Sequence, residues 1–196
     1  MTTTTKPAPT APDCIALGLP EVGVYIACLS SYNAGRLHGA WFDLELCNEP
    51  EDIQAAINWV MATSPAPDAE EWAIHDSAGL PSYLSRTEHP ALTDLIDWAD
   101  GISAYIDEDE REAYRLACED QGETLDQDAF RETYCGQYKS GEDYAWELAE
   151  ELDAMPSQPA WPLTCIDWES AWRELTFDGY REEDCASGGV HVFRSC

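Results

Sequence analysis

Lysine is almost missing from this chain of 196 residues: Lys6 and Lys139 are the only two, and Lys plus Arg total 10 against 39 Asp plus Glu, a formal net charge of −29. A protein so poor in cations has no means of holding phosphates by charge, so neither nucleic acid nor an anionic membrane is expected as a partner. No run of about 18 apolar residues occurs, and no apolar stretch of signal-peptide length stands near the amino end, so a cytoplasmic protein is expected. The 8 cysteines are scattered without a CxxC pair, which speaks against a zinc site and gives a disulfide framework no support. Four dispersed histidines, no GxSxG and no glycine-rich phosphate loop after a strand leave no catalytic constellation. Neither enzyme activity nor a cofactor is expected.

What the chain does have is material for a core. Hydrophobic residues make up 44% and aromatics 11%, enough to separate it from a disordered acidic tail of similar charge. The fold class expected is α+β, as an elongated chain of three small domains. "MTTTTKPAPTAPD" carries no apolar period, and residues 1–20 read as a flexible Thr/Pro-rich tail. Residues 21–85 read as an α+β domain: "VGVYIACL" and "AWFDLEL" form a hairpin around Asn33, Gly35 and Gly39, which supply positive φ. A helix follows, with an acidic first turn and apolar residues Ile53, Ala56, Ile57, Val60 and Met61, and then "WAIHD" as a third strand. Residues 86–158 read as an acidic helical bundle. Its helix starts are marked by Asp107/Glu110, Thr124/Gln127 and Ser140/Asp143 at capping-box spacing. Residues 159–196 read as a second α+β domain, with strands at "LTCI", "GYREEDC" and "VHVFR" and a helix at "DWESAWREL".

The acids are not spread evenly. Between Leu37 and Glu110 there are 17 Asp or Glu and one basic residue, Arg86, so local ion pairing cannot neutralise the segment. Asp94, Asp97 and Asp100 sit three apart, a ridge on a helix whose other side holds Leu92, Leu95, Ile96 and Ala99. In "GEDYAWELAEEL" the acidic face is Asp143, Glu147, Glu150 and Glu151, and Tyr144, Ala145, Leu148, Ala149 and Leu152 form the apolar stripe. Asp107, Glu108, Asp109 and Glu110 open a helix, where each carboxylate gains roughly 0.3–1 kcal/mol from the backbone dipole. That accounts for a helix start but not for the ridges, since like charges at this spacing cost a few tenths of a kcal/mol per pair.

Spacing suggests a use. Side chains three or four apart on a helix rise roughly 4.5–6 Å, against 3.4 Å per phosphate on a DNA strand, so a carboxylate ridge approximates a row of phosphates. At one charge per roughly 1.7 Å of duplex, the net charge corresponds to roughly 50 Å of DNA, and a dimer to roughly 100 Å. The candidate partner-binding residues are those of the ridges and of the helix start, together with Asp68, Glu70, Glu71 and Asp76 in "PDAEEWAIHD". Trp146, placed by angle among the acids of its helix, is a candidate contact with a partner or a second copy of the chain. A calcium loop counted from Asp107 fails, because Glu112 and Cys118 stand where Gly and Glu are required. No metal is expected.

"YIACLSSYNAGRLHGAWFDL", "PDAEEWAIHDSAGLP", "AYRLACEDQGETLDQDAFRETYCGQYKSGEDYAWELAEEL", "CIDWESAWREL" and the closing "HVFR" together resemble the ArdA antirestriction family, acidic DNA mimics encoded on mobile genetic elements. The likeness runs from about residue 22 to 194. It departs in the Thr/Pro-rich leader, the "SC" tail and the number of cysteines. The resemblance implies a curved homodimer, joined through its C-terminal region, that occupies the DNA-binding groove of the specificity and modification subunits of type I restriction-modification enzymes. The family's antirestriction segment corresponds to about Gly141 to Asp153. The rival reading is a salt-adapted acidic cytoplasmic adaptor protein, which fits the shortage of lysine but would carry an evenly acidic surface rather than one-sided ridges.

Overall fold

The computed structural model describes residues 9–67, 69–154, 160–161 and 163–195. They form a mixed α+β structure with two antiparallel three-stranded sheets and eight α-helices, divided between two compact units. The first unit holds the described residues up to Ala104 together with Gly122–Thr124. The second holds Tyr105–Gln121 and the described residues from Leu125 onward.

In the first unit β1 (Gly23–Cys28) is the central strand, and Val24, Ile26, Ala27 and Cys28 are buried. A short helix, α1 (Leu29–Asn33), interrupts the connection to β2 (Gly39–Asp43), so the expected hairpin forms around a helical turn. Of the three residues expected to supply positive φ there, Gly35 does so at +74°, whereas Asn33 lies in α1 and Gly39 in β2. Helix α2 (Pro50–Thr63) starts with proline, and the Asp52 carboxylate accepts from the Asn48 and Glu49 amides, which closes its first turn. Its buried Ile53, Ala56, Ile57 and Val60 follow the spacing read from sequence. Strand β3 (Trp72–Ala78) pairs with the other edge of β1, giving the order β2-β1-β3. Two elements follow, α3 (Ser82–Ser85) and α4 (Leu92–Ser103); α4 packs on α2 and on the turn at Leu44–Leu46, and buries Leu95, Ile96, Trp98, Ala99 and Ile102. Within the segment expected as a tail, Cys14 is buried, and Ile15 bridges to Phe42 beside β2.

The second unit opens with α5 (Glu108–Gln121), whose first free amides, those of Asp109 and Glu110, are capped by Asp107. Helix α6 (Gln127–Thr133) is capped by Asp126, not by the expected Thr124, whose hydroxyl is hydrogen-bonded to Tyr83. The next element is a strand that the sequence reading did not contain, β4 (Tyr134–Tyr138). It leads into α7 (Gly141–Glu151), capped as expected by Ser140. Helix α8 (Trp168–Phe177) and strands β5 (Tyr180–Asp184) and β6 (Val190–Arg194) complete the unit.

Strand β6 lies between the other two in the order β4-β6-β5, and the expected strand at "LTCI" is instead a single 3-10 turn at Leu163–Cys165. With both edges of β6 taken by β4 and β5, that segment has no open edge of β6 to join. Nor do α5–α7 gather into a helical bundle: α7 packs on α8 and on the sheet, around Tyr144, Ala145, Trp172 and Val192. The stretch read as one helical domain thus contributes α4 to the first unit and α5–α7 to the second. An aromatic chain of Tyr105, Tyr114, Phe130, Tyr134 and Phe193, with successive centroids 5.1–5.4 Å apart, runs from α5 and α6 to the sheet.

Candidate functional site

In α4 the two periodicities read from sequence occupy opposite faces. Asp94, Asp97 and Asp100 are exposed, and the residues between them, Leu95, Ile96, Trp98 and Ala99, all turn inward. The inward face is held from two sides, since Trp98 is fully buried and its indole N–H donates to the Gly79 carbonyl at 3.1 Å. That contact fixes the rotation of the helix and therefore the direction of the ridge. Asp94 and Asp97 also line an open hollow of about 310 Å³ with Tyr83, Gly122, Glu123 and Thr124. Glu123 was not among the sequence candidates, because it stands outside any helical period. Three carboxylates around one hollow suit a guanidinium or ammonium group from outside.

Elsewhere in the first unit Glu70 and Glu71 precede β3 and Asp76 lies within it, all exposed. Asp76 accepts from the Ser77 amide at 2.9 Å. Asp68 lies outside the described residues.

In the second unit the structure separates the four acids at the start of α5. Asp107 is committed as the helix cap, and Glu108 and Glu110 are exposed in the first turn. Asp109 is turned the other way, accepting from the Ser187 hydroxyl at 2.9 Å and from the Cys185 thiol at 3.5 Å. On α7 Asp143, Glu147, Glu150 and Glu151 are exposed, while Tyr144 and Ala145 are buried. The apolar stripe is shorter than its sequence pattern: Leu148 and Ala149 are half-buried and Leu152 is 70% exposed at the helix end.

Trp146 is 40% exposed and stands in a groove of about 570 Å³ lined also by Tyr138, Lys139, Asp143, Glu147 and Gly189. It is therefore not consumed by packing inside the unit. Gly141 explains how α7 comes so close to α8, because its missing side chain leaves the space taken by the Trp172 ring. The burial of Tyr138 and Tyr144 and the acids near Tyr138 push both phenols above their ordinary range, so neither adds negative charge at neutral pH.

The arrangement offers surface carboxylates and, on α7, the exposed Trp146, groups suited to binding cations and a partner's surface. The sequence profile of the family described as antirestriction protein (ArdA) matches residues 24–184. No curated protein matches the chain.

Proposed function

Because the chain belongs to the antirestriction protein (ArdA) family, which implies antirestriction function directed at restriction-modification enzymes, we propose that it acts as a noncatalytic mimic of B-DNA. In this reading it competes with DNA for the groove formed by the specificity and modification subunits of a type I enzyme. The observation that carries the reading is the ridge of Asp94, Asp97 and Asp100, exposed along one face of α4 while its neighbours Leu95, Ile96, Trp98 and Ala99 are buried. A row held in this way presents negative charge at fixed intervals. Its carboxylates stand for phosphates, steer the chain towards a basic groove and form charge-assisted hydrogen bonds with Arg and Lys there.

Phosphate positions are independent of base sequence, so one such protein serves against enzymes with different targets. Glu70, Glu71, Asp76, Asp107, Glu108, Glu110, Asp143, Glu147, Glu150 and Glu151, all exposed, and Asp68 extend the same function. Trp146 is assigned to a contact with the partner or with a second copy of the chain, and a homodimer joined through residues 159–196 belongs to the proposal. So do the three-part functional division at 21–85, 86–158 and 159–196, a cytoplasmic location and an origin on a mobile genetic element. Among the described residues no helix is long and apolar enough to cross a membrane.

The deciding experiment is competition between this protein and duplex DNA for a purified type I enzyme, repeated across a salt series. The expected result is mutually exclusive binding that weakens steeply as salt rises, with the protein folded throughout. Ternary complexes containing DNA, or a protein that unfolds below molar salt, would overturn the reading.

A further inference from the structure

The second unit contains a cluster of ligating side chains that the acidic surface does not account for. Glu112 on α5, Cys185 at the end of β5 and His191 on β6 place a carboxylate oxygen, Sγ and an imidazole nitrogen all within 4.8 Å of one another. Cys185 and His191 are buried, His191 completely, and the Glu112 side chain is 21% exposed. The Nε2 of His191 has no hydrogen-bond partner and lies 3.6 Å from a Glu112 oxygen, too far for a hydrogen bond. A wholly buried ring nitrogen left without a partner costs roughly what a lost hydrogen bond costs, and it is aimed into the cluster.

We propose that Glu112, Cys185 and His191 bind one divalent cation of the zinc class. Thiolate and imidazole together select zinc or a similar borderline metal over calcium or magnesium, which prefer oxygen. Bond lengths of roughly 2.0–2.3 Å give tetrahedral edges of about 3.3–3.8 Å, so the three groups, within 4.8 Å of one another, need to close by at most about 1.5 Å. The Asp109 oxygen lies 3.5 Å from Sγ but outside this group of three, so a water would complete the tetrahedron.

The surroundings suit ligation. The Tyr134 hydroxyl lies 3.1 Å from His191 Nδ1, so with Nδ1 as donor the Nε2 lone pair faces the cluster. The Ala186 amide donates to Glu112 at 2.9 Å, and the Gln137 side-chain amide lies 3.1 Å from Sγ, where it stabilises a thiolate. Binding releases the thiol proton of Cys185 to solvent. The resulting thiolate and the Glu112 carboxylate balance the two positive charges of the ion, so no uncompensated charge is buried. Such an ion would pin α5 to the β5–β6 hairpin.

The test is a titration of the reduced, full-length protein with Co²⁺, read in the absorption of thiolate-to-cobalt charge transfer and tetrahedral cobalt, followed by displacement with Zn²⁺. The expected result is saturation at one ion per chain and loss of the signal on adding zinc. C185S should remove the charge-transfer band, E112Q should weaken binding at least tenfold, and C165S, at an exposed thiol, should leave both unchanged. Circular dichroism checks that each variant is folded, and if C185S is not, E112Q decides alone. A folded E112Q that binds cobalt as tightly as the parent, or a parent with no thiolate band at one equivalent, would refute the site. In that event Glu112 and His191 are only a buried polar pair.

Discussion

Asp97 and Trp98 are neighbours in sequence and opposites in space: the carboxylate is exposed on α4, and the indole is fully buried with its N–H on the Gly79 carbonyl. Trp98→Ala should therefore destabilise the protein by about 3–5 kcal/mol, through the cavity and the orphaned carbonyl. Asp97→Asn should leave the denaturation midpoint nearly unchanged. Urea titration of the two variants checks this, and equal midpoints would mean that the tryptophan does not anchor the helix.

The ridge should behave as a distributed charge. Asp97→Asn alone should hardly alter inhibition of a type I enzyme, whereas D94N/D97N/D100N should weaken it and flatten its dependence on salt. Relief of like-charge repulsion should leave the triple variant as stable as the parent, or a few tenths of a kcal/mol more so. Inhibition assays across a salt series read this directly. A single neutralisation that abolished inhibition in a folded protein would contradict distributed mimicry.

At Gly141 the direction of the effect depends on tertiary contact. Gly→Ala in an exposed helix gains up to about 1 kcal/mol, but here the added carbon meets the Trp172 ring. Gly141→Ala should instead cost about 1–3 kcal/mol by overpacking α7 against α8. Thermal melting with near-UV circular dichroism on Trp172 would show it, and a raised melting temperature would be the contrary result.

Trp146→Ala should spare folding, because the side chain is already 40% exposed. If it anchors a partner or a second copy, the substitution should either shift sedimentation towards monomer or weaken inhibition several-fold. An unchanged sedimentation profile together with unchanged inhibition would remove it from the interface.

A pH dependence follows from the cap of α8. The Ser170 hydroxyl, and after it the Ser170 amide, donates to Asp167 and holds its carboxyl below the usual range. A depressed folded value means the stabilising contribution is complete above the unfolded pKa of about 3.9 and is lost as pH falls through the lower folded value. Asp167→Asn should remove that acid-side slope. Stability measured from pH 6 to pH 2 in both proteins should converge at the acid end, and parallel curves would exclude the linkage.

The amphipathic pattern is legible at most positions where a local period decides the outcome, but not at Thr124, whose place as cap is taken by Asp126, nor at Leu152, left exposed by the end of α7. The inward and outward residues of α4, the apolar spacing of α2 and the caps Asp107 and Ser140 depend on neighbours three or four residues away, and each is present in the fold. Strand β4 was hidden because its five residues include Gly136 at positive φ and lie between helix signals; only pairing with β6, more than fifty residues later, makes them a strand. Asp109 carries the same charge as Glu108 and Glu110, yet its orientation towards Cys185 and Ser187 is set by a hairpin distant in sequence.

The linear chain by itself determined the sign and density of the charge, the faces of its helices and its likeness to one family. Only tertiary structure decided which strand completes the second sheet, which glycine is a packing contact, and that Glu112, Cys185 and His191 meet. The physical reason is range: helical periodicity and capping are local interactions written in adjacent residues, whereas strand partnership and ligand convergence depend on loop closure and burial across the whole unit.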